Sequence, residues 1–297
     1  MASSKIGTVS VIIASLGRRD AIRLLLERLK MQTVPPAEII ISLESQEDCP
    51  RYSDLELPVK TIFGPRGSSV QRNRGIDRAS KSTEFIVFLD DDYVPSKYFI
   101  EGLLKGFEAF PEASGLGGLL LADGARGPGI PPEAAIAAVD ARDASHVAKP
   151  PSRIRGTSGV YGCNMAFRHS DVDQVRFDEH LPLYGWLEDS DFGARLPGKM
   201  IYTDAFFGVH CGIKRGKENA GNRFGYSQIA NPIYLWRKGT LSLIRMVDLI
   251  ARPLLANIVK SHRPEPWIDR RGRLAGNLTA IKDLAHGRIS PQRILEL

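Results

Sequence analysis

The pattern of apolar and polar positions predicts an α/β chain from its first segment. Val9 to Ala14 is a continuous apolar, β-branched run without polar alternation, as a strand buried on both faces of a parallel sheet requires. Asp20 then opens a segment in which Ile22, Leu25, Leu26 and Leu29 recur at i, i+3, i+4 and i+7, which predicts a helix with one apolar face turned to that sheet. Beyond Pro35 and Pro36, Glu38 to Ser42 is a second buried run, so the opening reads as a right-handed β-α-β unit. Val59 to Phe63 predicts a shorter strand, Ser69 to Ala79 a helix, and Phe85 to Leu89 a third fully apolar strand. Met200 to Val209, mixing aromatic and β-branched residues, predicts another. Ala122 to Pro151, rich in Gly, Ala and Pro, reads as a long loop that could serve as part of a lid.

Ligands of such sheets bind beyond the carboxyl ends of the strands. Ala14 and Ser15, Leu43 and Glu44, and the acids Asp90, Asp91 and Asp92 would all arrive at that edge. Adjacent carboxylates destabilise one another unless a positive charge meets them. Asp90 and Asp92 share a face if the strand continues, and a hard Mg²⁺ or Mn²⁺ favours such oxygens while also gripping phosphates. A solvated acidic turn ahead of a helix after Pro95 is the alternative. Glu188, Asp189 and Asp191 form a second cluster, which suits either a helix start or a general base that deprotonates a hydroxyl. His210 closes the later strand and would either complete a metal site or serve the structure. Lys214, Arg215 and Lys217 behind it suit a diphosphate or a solvated loop.

Composition narrows the choice of partner only in part. A chain of 297 residues, 43% hydrophobic and 25% charged, supports one large domain with a smaller appendage. Its net charge of +6 points to an anionic partner, but the basic residues are dispersed and lack an aromatic–basic motif, which argues against nucleic acid. Cys49, Cys163 and Cys211 are odd in number and far apart, so neither a disulfide framework nor a zinc site is expected, and a reducing compartment is. The opening Met-Ala-Ser-Ser-Lys leads into an apolar run too short for a signal peptide. Cytoplasmic residence is the expectation, with peripheral attachment to the inner face of a membrane as an addition to it. Leu241 to Lys260 is apolar but interrupted by Arg245, Asp248, Arg252 and Pro253, which predicts two packed helices broken near Pro253 or interfacial binding rather than a span. Arg270, Arg271 and Arg273 add a basic patch that would suit an anionic membrane surface.

The order of the pieces resembles glycosyltransferase family 2, the inverting nucleotide-sugar transferases of GT-A fold. The resemblance runs from about Thr8 to His210: VSVIIAS with its helix and Gln32-Thr33, the segment Gly67 to Ile76, FLDDDYVP, Gly162 to Arg168, and WLEDSDFGARL with His210 behind it. It implies a mostly parallel sheet flanked by helices in residues 1–215, with a nucleotide half to about 95 and an acceptor half from 96, then a mostly helical C-terminal extension over 216–297. Position by position, it implies that Ala14 and Ser15 line the nucleobase, that Arg72 lies near the nucleotide, and that Asp90 and Asp92 hold the divalent metal with His210 as a further ligand. Asp91 and Glu44 are counted with the donor contacts. Asp189 is implied as the catalytic base, with Glu188 in reserve. Where the family carries an acid-rich turn after the second strand, this chain has Ser42-Leu43-Glu44-Ser45, which leaves the nucleotide open between uridine, thymidine and guanosine diphosphate, uridine first. The implied reaction moves a sugar from that carrier to a glycan or lipid-linked sugar in polysaccharide or glycolipid synthesis. The rival reading is a non-catalytic protein on the same fold that binds anionic lipid or polysaccharide.

Overall fold

The computed structural model describes residues 7–147, 149–157, 159–213 and 221–297. Lys214, Arg215 and Lys217 lie outside them. The first half of the sheet follows the predicted pattern: β1 (Val9–Ala14), α1 (Arg19–Lys30), β2 (Glu38–Leu43), β3 (Val59–Phe63), α2 (Ser68–Arg78) and β4 (Phe85–Asp90). Ile22, Leu25, Leu26 and Leu29 of α1 are all buried in one cluster with Val11, Ile13 and Ile39. Each such side chain removed from water stabilises the layer by about 1.5–3 kcal/mol. Gly75 lets α2 lie close on the sheet, since a Cβ there would come within 2.4 Å of Ile12 Cγ2.

The chain continues through β5 (Tyr93–Pro95), α3 (Phe99–Ala109), β6 (Ala113–Asp123), α4 (Pro132–Ala144), β7 (Arg153–Thr157), β8 (Asn164–Arg168), the short α5 (His169–Val172), α6 (Glu188–Ala194) and β9 (Lys199–His210). The sheet has nine strands in the order β3-β2-β1-β4-β8-β6-β9-β5, with β7 paired to β9. β3, β2, β1 and β4 run parallel, and β8 turns antiparallel against β4. Residues 122–151 correct the loop expectation, because α4 occupies their centre. Pro at the first turn pre-sets the helical φ, the Ala-rich sequence carries little entropic cost, and Ala135 and Val139 are fully buried against Val94 and Val209.

The C-terminal region is helical: α7 (Gly221–Lys238), α8 (Leu243–Lys260) and α9 (Arg270–Ala285). α8 is one continuous helix with Pro253 inside it, which corrects the reading of two helices broken near that residue. Packing of Met246 and Ile250 before the proline and burial of Asn257 after it hold both halves on one axis. α7 and α9 meet backbone to backbone, since a Cβ on Gly225 would fall 2.0 Å from the Arg273 carbonyl oxygen. Buried Asn257 donates to Gln228 Oε1 and Asn277 Oδ1, both at 2.9 Å, which satisfies the amide inside the bundle. Asn231 of α7 donates to the Trp186 carbonyl at 2.8 Å, tying the bundle to the segment before α6. All three cysteines are free thiols, and no helix among the described residues is long and apolar enough to cross a membrane.

Candidate active site

Strand register brings the polar residues together. Ala14 at the end of β1 is level with Ser42 of β2 on one side and Asp90 of β4 on the other. Gln71 of α2 donates to the Ser15 and Ser42 carbonyls, both at 2.7 Å, and so closes the floor between the first two strands. Glu44 follows β2 and is exposed at the rim. On the far side, β5 and β6 bracket the end of β9, with His210 opposite Tyr93 and Asp123.

The three acids after β4 have different surroundings. Asp90 and Asp92 converge on His210, and one ligand atom from each of the three lies within 4.8 Å of the others. Nε2 of His210 is 3.4 Å from Asp92 Oδ1 and 3.7 Å from Asp90 Oδ2. Asp91 points elsewhere: it is buried, accepts from Ser15 Oγ, and pairs with Arg18 Nη2 at 2.7 Å. Arg18 also reaches Asp92 at 3.2 Å, and the Ile213 amide donates to Asp92 Oδ2 at 2.7 Å. Burial lifts the Asp91 carboxyl to about 7 against the pull of Arg18. Burial alone would lift Asp92 as well, but its hydrogen bond to His210, the charges of His210 and Arg18 and the Ile213 amide hold it well below the usual carboxylate range. His210 shows the reciprocal effect: burial opposes its charge, yet hydrogen bonds to Asp123 and Asp92 and the nearby Asp90 push it up to about 10. A field that holds a proton on a buried imidazole would favour a divalent cation in its place. Two carboxylates and one imidazole, with open space left by the half-exposed Asp90, fit Mn²⁺ or Mg²⁺.

The second acid cluster stands across one arginine. α6 begins at Glu188, after Leu187 adopts a left-handed conformation with φ 76°. Arg72 of α2 is buried, pairs with Glu188 through Nη1, and reaches Asp90 with Nη2 at 3.2 Å. Ser68 Oγ donates to Glu188 at 3.0 Å. Asp189 accepts from Gly162 N–H at 3.0 Å and Ser190 N–H at 2.7 Å. Burial raises both carboxyls, Glu188 to about 7, with Arg72 opposing the shift in each. The segment at Gly162 also supports the Asp90–Asp92–His210 cluster, because the Asp90 amide donates to the Cys163 carbonyl at 3.2 Å. One short turn before β8 therefore sets both Asp90 and Asp189.

Residues 10–176 match the family described as glycosyl transferase family 2, which is more than half of the chain. The chain belongs to that family. Among solved structures it is similar to a mannosyltransferase from Pyrobaculum calidifontis in complex with GDP-Man and Mn²⁺, at 14% identity and TM-score 0.57, covering 98% of this chain and 86% of that one. It is also similar to S. aureus TarS residues 1–349 in complex with UDP-GlcNAc, at 14% identity and TM-score 0.56, covering 97% and 82%. These likenesses show a GT-A type α/β fold. A comparison with curated protein sequences finds no match.

Two residues that contact the Asp90–Asp92–His210 cluster carry no signal in the sequence. Asp123 contacts His210 Nδ1 at 2.8 Å, and Arg18 pairs with two of the three acids. Arg18 stands beside Arg19 in a polar turn with no pattern to single it out, and Asp123 lies in the stretch expected to be a loop.

Proposed function

We propose that this glycosyltransferase transfers a sugar, with inversion, from a nucleoside diphosphate donor to a hydroxyl of a glycan or lipid-linked sugar at a membrane surface. The observation that carries the reading is the Arg72 guanidinium, which joins Asp90 of the Asp90–Asp92–His210 cluster to Glu188 beside Asp189. A donor diphosphate at the first cluster and an acceptor hydroxyl at the second would then lie on opposite sides of the sugar carbon, as a single displacement requires. Residues 1–215 make up the catalytic domain in this reading and 216–297 the extension. Ala14, Ser15 and Glu44 form the nucleoside end of the cleft. The mannosyltransferase with GDP-Man and TarS with UDP-GlcNAc support two donor classes; Glu44 in place of an acid-rich turn leaves the choice between them open, with a uridine diphosphate donor taken first.

Asp90, Asp92 and His210 would hold Mg²⁺ or Mn²⁺. When bound, the ion neutralises charge that develops on the leaving diphosphate. Asp189 takes the acceptor proton: its oxygens are oriented by two backbone N–H groups and its proton affinity is raised by burial, which suits a base working near neutrality. Glu188 is bonded to Arg72 and Ser68, so it holds the guanidinium that faces Asp90. Arg18 keeps Asp91 and Asp92 ionically balanced and fixes Asp92 toward the cluster.

The test is a thermal-shift panel of UDP-, GDP- and dTDP-sugars with and without Mn²⁺. Stabilisation grows as RT ln(1 + [L]/Kd), so the true donor at about 100 times its Kd adds about 2.7 kcal/mol. A metal-dependent shift with one nucleotide class supports the reading. Equal melting with every donor, with or without Mn²⁺, overturns it.

A further inference from the structure

α8 carries two apolar faces and buries only one. Met246 and Ile250 pack toward α7 and the C-terminal end of the chain, whereas Ile244, Val247, Leu255, Ile258 and Val259 are turned to solvent. Ile244 is 85% exposed and Val259 71%. Single exposed apolar residues are ordinary on a protein surface. Here they recur at helical spacing along one helix: Ile244 to Val247, Val247 to Ala251, Ala251 to Leu255 and Leu255 to Ile258 step by three or four. That periodicity marks an unpartnered face. Leu278 and Ile281 of α9 are exposed in the same bundle.

Charge decides what covers this face. From Leu241 to Leu297 the chain has ten Lys and Arg against five Asp and Glu, a net +5 of the whole chain's +6. Arg245, Arg252, Arg263 and Arg271 are exposed around the stripe, and Arg271 donates to the Ser261 carbonyl at the end of α8, 3.2 Å away. A second copy presenting the same face would bring this positive charge against itself. A helix with an apolar stripe and a basic border, unable to cross a bilayer, lies in the plane of an anionic lipid surface. We infer that the outward stripe of α8, bordered by Arg245, Arg252, Arg263 and Arg271, docks this protein on an anionic membrane.

The position of the bundle gives the docking a use, and that use alone rests on the proposed transfer reaction. Arg273 of α9 lies over the Phe224 ring, 4.6 Å from its centroid, and Phe224 packs edge-on to Trp186 at 5.9 Å. Trp186 lies two residues before Glu188. The bundle that would rest on lipid is thus in contact with the segment leading to Asp189, where a membrane-borne hydroxyl would have to arrive.

The experiment is flotation of the full chain with vesicles of phosphatidylcholine, with and without phosphatidylglycerol, at low and high salt. Wild type should float only with the anionic vesicles and detach as salt rises. Arg263→Gln and Arg271→Gln should each weaken partitioning roughly fivefold, and Val247→Glu with Leu255→Glu should abolish it. The substituted positions are exposed, so circular dichroism and donor-induced thermal shift should match wild type in every variant. Wild type left in the soluble fraction with anionic vesicles overturns the inference, as does flotation unaffected by Val247→Glu and Leu255→Glu. A dimer in sedimentation velocity that the two glutamates dissociate, without vesicle binding, assigns the face to a second copy and equally overturns it. Vesicle binding without any donor-induced shift would leave the docking standing and sink the transfer reading instead.

Discussion

Nδ1 of His210 lies 2.8 Å from Oδ1 of Asp123, on the side of the ring opposite the Asp90–Asp92 pair. The Ala125 amide donates to the same Asp123 oxygen at 3.0 Å, which fixes the carboxylate. With Nδ1 bonded to Asp123, the ring presents Nε2 to the cluster. Carboxylates in this position tune metal affinity by roughly 10- to 100-fold. Asp123→Asn should therefore weaken Mn²⁺ binding by that factor, measured by calorimetry, while nucleotide binding without metal is unchanged. Unaltered Mn²⁺ affinity in the variant would remove Asp123 from the site.

Glu188 and Asp189 of α6 separate by kinetics. Asp189→Asn should leave donor affinity near wild type and lower kcat by roughly 10² to 10⁴, the range lost when a positioned base is removed. Glu188→Gln should weaken donor binding through Arg72, because the guanidinium that reaches Asp90 loses its closest partner. If Asp189→Asn retains full turnover, the base lies elsewhere.

Rate should rise with pH along an acid limb set by Asp189. Burial raises Asp189 above the ordinary aspartate range, and an acid with a raised pKa is ionised, and so able to accept a proton, only at higher pH. The acid limb of kcat/KM is expected above the ordinary carboxylate value of about 4. A limb at that value, measured with metal saturation held constant across the pH range, would contradict the buried-base assignment.

Asp178 offers a check on the bundle contact. Burial would raise its carboxyl, but Lys238, the His180 amide and Tyr234 of the α7 side hold it below the usual range. A depressed acid stabilises the fold when ionised, so its contribution is present above the unfolded value and is lost as pH falls below about 4. Asp178→Asn should cost about 2 kcal/mol at pH 7, seen as a lower Tm, and the difference should shrink in acid. Equal melting at pH 7 would show that these contacts do not hold α7 to the domain.

The strand-end chemistry was legible because buried parallel strands are written as unbroken apolar runs, and the residue that ends each run is delivered to one edge. Asp90 and Asp92 were found that way, and the parallel register confirms that Asp90 arrives level with Ala14. Asp123 was not legible: its partner is 87 residues away, and long-range register leaves no local pattern. α4 was masked by its Gly and Pro flanks, since an Ala-rich helix that buries only a few small residues shows little apolar periodicity. Pro253 does not break α8, because its missing N–H is outweighed by the packing of Met246 and Ile250 before it and the burial of Asn257 after it. The opposite orientation of Asp91 followed from the turn after β4, where strand alternation still governs its direction but not its partners Ser15 and Arg18.

A metal held by Asp90, Asp92 and His210 and serving sugar transfer is the central claim. The most direct measurement is release of nucleoside diphosphate from the preferred donor, with an acceptor glycan present, by wild type and Asp92→Ala in chelator and after Mn²⁺ is returned. Wild type should be inactive in chelator and recover with Mn²⁺, while Asp92→Ala should stay inactive at the same Mn²⁺ concentration. Full transfer by either protein in chelator would contradict the account.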